Sequence, residues 1–107
     1  MADTFKVLAQ IIPTLAVLTD AYTAPSQVTV SSIVVCNQSS TEDKFRISIA
    51  VAGAVDNSKQ YLYYDASISE NRVLIVTSGI TLGSTDVIRV YSTNGTISFN
   101  IFGVEIS

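Results

Sequence analysis

Few side chains in this chain could do chemistry, and their spacing argues against most of it. Glu42 with Asp43, and Asp65 with Glu70, are the carboxylate pairs that general acid and base catalysis would draw on. Both lie in or beside polar stretches, where neighbouring carboxylates are ordinarily solvated, and the sequence offers no perturbing partner. Cys36 is the single cysteine, and a nucleophilic thiol would want a base that the chain, having no His, does not supply. Within the apolar run Ile33-Val34-Val35-Cys36 it reads as a small buried hydrophobe. Asp56, Asn57 and Asp65 are oxygen donors without the alternate carboxylate spacing of a calcium loop, and turn chemistry accounts for Asp56-Asn57. No Gly-rich phosphate loop, nucleophile elbow or zinc-ligand spacing is present. The expectation is a non-enzymatic protein with no catalytic, cofactor or metal site.

Two groups of residues point instead to surfaces. Tyr61, Tyr63 and Tyr64 fall in one short run, and tyrosine serves both subunit interfaces and sugar-stacking platforms. Plain alternation puts Tyr61 and Tyr63 on one face and Tyr64 on the other; with no Trp beside them, core or interface outweighs a carbohydrate platform. The second group is the apolar stretch Phe5 to Leu18, where Phe5, Leu8, Ile11, Ile12 and Leu15 are candidates for a subunit interface. Pro13 breaks its helical spacing, so residues 1–20 read as an extended arm or an edge strand, where the missing N–H of proline is tolerated.

The elements that would carry these groups are strands. Lys44 to Val51 alternates strictly, with Phe45, Ile47, Ile49 and Val51 on one face and Lys44, Arg46 and Ser48 on the other. Gln27 to Asn37 slips out of alternation at Ser31-Ser32, which predicts a bulge or a strand buried on both faces. Tyr61 to Asp65, Val73 to Thr77, Ile80 to Leu82, Asp86 to Thr93 and Ile97 to Ser107 complete the series, with Asn94-Gly95 reading as a two-residue hairpin turn. Seven or eight short strands with turns between them make one antiparallel β-sandwich domain over residues 1–107, of jelly-roll or immunoglobulin-like type. No helix longer than a turn is expected.

Composition narrows the partners. Hydrophobic residues make up 48% of the 107 and charged residues only 14%, so the chain can build a core without disulfides or metal, and its surface relies on uncharged polar groups. A net charge of -3 with six Lys and Arg makes no basic stripe for nucleic acid. The apolar run near the N-terminus is too short and too interrupted to cross a membrane or serve as a signal peptide.

The order Tyr22-Thr23-Ala24-Pro25, Val30 to Asn37, Gln60 to Asp65, and Gly79 to Leu82 with Asp86 to Tyr91 resembles the small β-sandwich virion proteins of tailed bacteriophages. The resemblance covers most of the chain after Tyr22. It implies a component of the particle: a head decoration or cement protein, or a neck, tail, baseplate or fibre subunit. It further implies a symmetric homo-oligomer, often a trimer, whose other partners are virion proteins such as the major capsid protein, and a place in the virion. The resemblance carries no site motif. A glycan- or receptor-binding module presenting the tyrosines is the reading from another class.

Overall fold

The computed structural model describes residues 3–106; Met1 and Ala2, expected at the head of the arm, and Ser107, expected in the last strand, lie outside them. Nine strands form two packed antiparallel sheets. They are β1 (Thr4–Ile11), β2 (Thr19–Thr23), β3 (Gln27–Asn37), β4 (Asp43–Ala50), β5 (Tyr61–Ile68), β6 (Val73–Val76), β7 (Ile80–Leu82), β8 (Val87–Ser92) and β9 (Ile97–Ile106). Sheet A runs β1-β9-β3-β6, with β7 lying end to end with β6 along the same side of β3, and sheet B runs β2-β8-β4-β5.

Taking β6 and β7 as one interrupted strand, the pairs nest as β4 with β5, β3 with β6/β7, β2 with β8 and β1 with β9. A long hairpin of four nested strand pairs, rolled over so that β9 also meets β3 and β8 also meets β4, is a jelly roll. The two-sheet sandwich expected from the strand pattern is therefore present, and its strand order selects the jelly roll over an immunoglobulin-like topology.

Val28, Val30, Ile33 and Val35 of β3, Phe45 and Ile47 of β4, Ile88 and Val90 of β8, and Ile97, Phe99 and Ile101 of β9 fill the space between the sheets. β-Branched and aromatic residues dominate because they fit the pleated, half-buried surface. A register shift between Val30 and Ser32 realises the bulge expected at Ser31-Ser32 and changes which residues face inward, from Val28 and Val30 before it to Ile33 and Val35 after it. Phe99 meets Phe45 edge-on, with ring centroids 6.2 Å apart.

Three local expectations are corrected. The Asn94-Gly95 link is no hairpin, because β8 belongs to sheet B and β9 to sheet A. Of the pair only Gly95 has positive φ, and the Asn94 N–H is taken by the Asp43 carboxylate rather than by a turn. Val51 leaves the strand for a short 3-10 turn and is 69% exposed, so its expected place on the inward face is lost. Asp43, expected to be solvated, is 1% exposed at the start of β4. Of the two alternatives for the N-terminal segment, the edge strand is present: Thr4–Ile11 pairs with β9 at the edge of sheet A, and Thr19–Thr23 is a strand of its own on β8.

Candidate functional site

Buried polar groups hold the framework together and leave its faces to the surroundings. At one end of the sandwich the Asp43 carboxylate accepts from Ser92 Oγ (2.6 Å), Thr96 Oγ1 (2.9 Å) and the N–H groups of Asn94 (2.9 Å) and Lys44 (2.7 Å). Burial pushes its pKa up, but the bonds from Ser92, Lys44, Asn94 and Thr96 together outweigh this and hold it below the ordinary carboxylate value. Asn37, also buried, donates to the carbonyls of Thr41, Ile68 and Ser69 and accepts from the Thr96 hydroxyl, so the cluster ties β3, β4, β5 and the β8–β9 link together.

Along one seam between the sheets the Tyr22 hydroxyl donates to Glu105 Oε2 at 2.6 Å, and Lys6 Nζ lies 3.3 Å from Oε1. Burial, then the Glu105 carboxylate, raises the Tyr22 phenol well above its ordinary pKa. The hydrogen bond from Tyr22, aided by Lys6 and opposed by partial burial, keeps Glu105 below its own. These groups are structural clips, each accounted for by its neighbours.

The two outer faces differ in character. Cross-strand register places Arg46, Tyr91 and Tyr61 on the outer face of sheet B. The Arg46 guanidinium lies 4.2 Å from the Tyr64 ring centroid and 4.3 Å from that of Tyr91, and its Nε and one terminal nitrogen donate to Asp65 at 2.7 and 3.3 Å. Lys44 and Arg89 share this face, and Arg89 pairs with Asp20 at 2.9 Å.

On the outer face of sheet A, Phe5 and Val7 of β1 stand opposite Val104 and Phe102 of β9. Thr29 and Ser32 of β3 continue these rows, and Asn100 leads through Val34 to Ile75 of β6. Cys36 stands opposite Val73. None of these residues is charged. Phe5 is 80% and Ile75 61% exposed, while Phe102, Val104 and Val34 are half-buried. Four strands at about 4.8 Å spacing and roughly 30 Å of length give a footprint on the order of 600 Å², approaching the roughly 800 Å² per partner of a standard interface.

The expected surface residues are divided by these faces. Of the N-terminal candidates, Phe5 lies on the outer face of sheet A, whereas Leu8 and Ile11 pack on the chain's own core. Ile12 and Leu15 are exposed in the β1–β2 connection, where Leu15 backbone atoms come close to Gly95. The tyrosines do not follow plain alternation. Register shifts against β4 between Phe45 and Ile47 and between Ile47 and Ser48 turn Tyr63 inward, 5.6 Å from Phe45, and bring Tyr61 and Tyr64 within 5.0 Å of each other outside. Cys36 is half-buried on an outer face rather than sealed in the core, because the bulge in β3 resets the alternation ahead of it.

The groups weighed for catalysis are not brought together as acid and base: Asp43 is locked in its hydrogen bonds and Asp65 in its ion pair. Among the described residues no group of three or more His, Cys, Asp or Glu is placed to hold a metal. The sequence reading missed Phe102, Val104, Val34, Val73 and Ile75 as surface residues. The signal for Val34, Val73 and Ile75 was present in the consecutive apolar runs of β3 and β6, which leave apolar side chains on both faces of a sheet with only one core to fill.

Compared with known proteins, the chain matches no family model, no curated protein and no solved structure.

Proposed function

We propose that this chain is a non-enzymatic structural subunit of a tailed-bacteriophage particle, foremost a capsid decoration or cement protein, which packs the outer face of sheet A against neighbouring subunits. The observation that carries the reading is the contrast between the faces: sheet B presents Lys44, Arg46, Asp65 and Arg89 outward, whereas sheet A presents Phe5, Val7, Phe102, Val104 and Ile75 with no charge among them. An extended apolar patch rimmed by polar residues is the mark of an interaction surface. Copies that each carry a net charge of -3 meet there without burying like charges. The phage assignment is supported by the resemblance of the strand and turn sequences, and jelly rolls build both viral coats and lectin domains. A neck, tail or baseplate component uses the same face in the same way. A subunit-resolved reconstruction of the assembled particle tests the proposal: Phe5, Val7 and Val104 should be covered by a neighbour, and finding them bathed in solvent refutes it.

A second reading, recognition of a glycan or receptor, is favoured by one observation. Tyr64, 60% exposed, stacks on Arg46 beside Asp65, a non-glycine strand residue at φ +50°. Backbone strain of this kind collects at binding sites. Screening against a glycan array decides it: binding that disappears with Tyr64→Ala supports recognition, and a blank array removes it.

A further inference from the structure

The edges of the two sheets are not equally protected. An edge strand exposes unpaired N–H and C=O groups and invites further strands unless charge, a bulge or a cover intervenes. β1 carries Lys6 and a register shift between Val7 and Ala9. β2 carries Asp20 and a shift between Asp20 and Tyr22, and β5 carries Asp65 and two shifts against β4. β6 has none of these devices: Val73-Leu74-Ile75-Val76 is wholly apolar and holds an unbroken register with Ile33 to Cys36. Its shortness is its one protection.

The pattern of β6 is that of a central strand. Val73 and Ile75 face outward, while Leu74 and Val76 face the space between the sheets. Leu74 nevertheless remains 38% exposed, because no strand lies beyond it. A strand apolar on both faces belongs inside a sheet, with neighbours on both sides.

From this placement we infer that β6 pairs antiparallel with β6 of a second copy, joining two sheets A into one continuous sheet across a twofold axis. The inference deepens the assembly reading and rests on it, since β6 borders the same uncharged face. The occupant follows from the edges themselves. Among the described strands the edges β1, β2 and β5 carry charge and bulges that obstruct regular pairing, and β7, uncharged and unshifted, is only three residues long and continues the edge of β6 itself, so within a population of this chain the partner left for β6 is another β6. Two copies related by a twofold axis present the same patch to each other.

The symmetry and the four-residue length of β6 together leave two registers that oppose three residues of each copy. Residues opposed across an antiparallel pair point to the same face, so the axis must pass beside a residue that meets its own copy. Centred on Leu74, the pairing sets Val73 against the second copy's Ile75; centred on Ile75, it sets Leu74 against the second copy's Val76. In neither register does Arg72 oppose its own copy.

Cysteine pairing tests the inference. Opposed Cα atoms in an antiparallel pair are about 4.5–5.5 Å apart, within the span a disulfide bridges. Leu74→Cys and Ile75→Cys are each made in a Cys36→Ser background, with Ser67→Cys on exposed β5 as control, and mildly oxidised at micromolar concentration. One of the two β6 variants should run as a covalent dimer while the control stays at single-chain mass. In the protein with its native cysteine, Ile75→Lys, at an outward and solvent-exposed position, should lower the sedimenting mass by half with its folded circular-dichroism spectrum kept. Absence of a covalent dimer in both β6 variants, together with an unaltered mass for Ile75→Lys, overturns the edge pairing. If oligomers persist in that case and dissolve on Val7→Lys with Val104→Lys, the face packing stands without the edge. A single-chain mass for the native protein at every concentration defeats both readings.

Discussion

Asp43→Ala should be among the most damaging single changes in this chain, although the residue touches no proposed partner. The carboxylate is 1% exposed and accepts four hydrogen bonds. On its removal the Thr96 hydroxyl keeps Asn37 Oδ1 as an acceptor and the N–H of exposed Lys44 can turn to water, but the Ser92 hydroxyl and the Asn94 N–H are stranded. Each stranded buried donor costs about 1.5–2 kcal/mol, for a loss of about 3–4 kcal/mol. With an m-value of about 1.5 kcal/mol/M in urea, the unfolding midpoint falls by roughly 2–2.7 M. Asp43→Asn keeps one carbonyl oxygen and should lose about half as much.

The same residue makes stability depend on acid. The pKa of Asp43 is lower folded than unfolded, so the unfolded chain binds more protons as pH falls. Its contribution is whole above the unfolded value of about 3.9 and disappears as pH drops through the folded value. Urea titrations at pH 7 and below pH 4 should show a smaller acid loss in Asp43→Asn than in the native chain. An Asp43→Ala midpoint within about 0.3 M of the native one, or equal acid losses in the native and Asn chains, would refute the reasoning.

Four further outcomes follow from individual contacts. Ser48 Oγ is buried without a hydrogen-bond partner, so Ser48→Ala should be neutral or stabilising by up to about 1 kcal/mol in thermal unfolding. A Cβ at Gly103 would collide with the Thr29 carbonyl oxygen and crowd Leu8; Gly103→Ala should cost about 2–3 kcal/mol by denaturant titration, with β1 losing amide protection first. Arg46→Lys forfeits the fork to Asp65 and the stacking on Tyr64 and Tyr91, for a loss of about 1–2 kcal/mol. The Asp65 carboxyl, held low chiefly by its hydrogen bond from Arg46, should titrate upward toward its ordinary value by NMR in Arg46→Ala.

The strands were legible wherever a residue's side was settled by local pattern. β3 appears from Gln27 to Asn37 as its composition implied, bulge included, because Val and Ile on either side of Ser31-Ser32 have one core to reach. The misreadings arise where a distant group competes with the local signal. Asn94-Gly95 has the chemistry of a hairpin, yet Asp43, fifty-one residues away along the chain, takes the Asn94 N–H and directs β9 to the other sheet. The tyrosines were assigned by strict alternation, which the irregular register of β5 against β4 overrides. The site was less legible than the fold. Apolar residues announce burial but do not say against what, so nothing set the Phe102, Val104, Val34 and Ile75 face apart as a surface until the register turned it outward.

Sedimentation velocity across a concentration series, on the native chain and on Val7→Lys with Val104→Lys, tests the central claim most directly. The account predicts that the native chain sediments well above its single-chain 11.4 kDa at tens of micromolar, and that charging the outer face of sheet A returns a smaller species with its fold intact. A native chain that stays at 11.4 kDa throughout, or an oligomer indifferent to two lysines on that face, would contradict it.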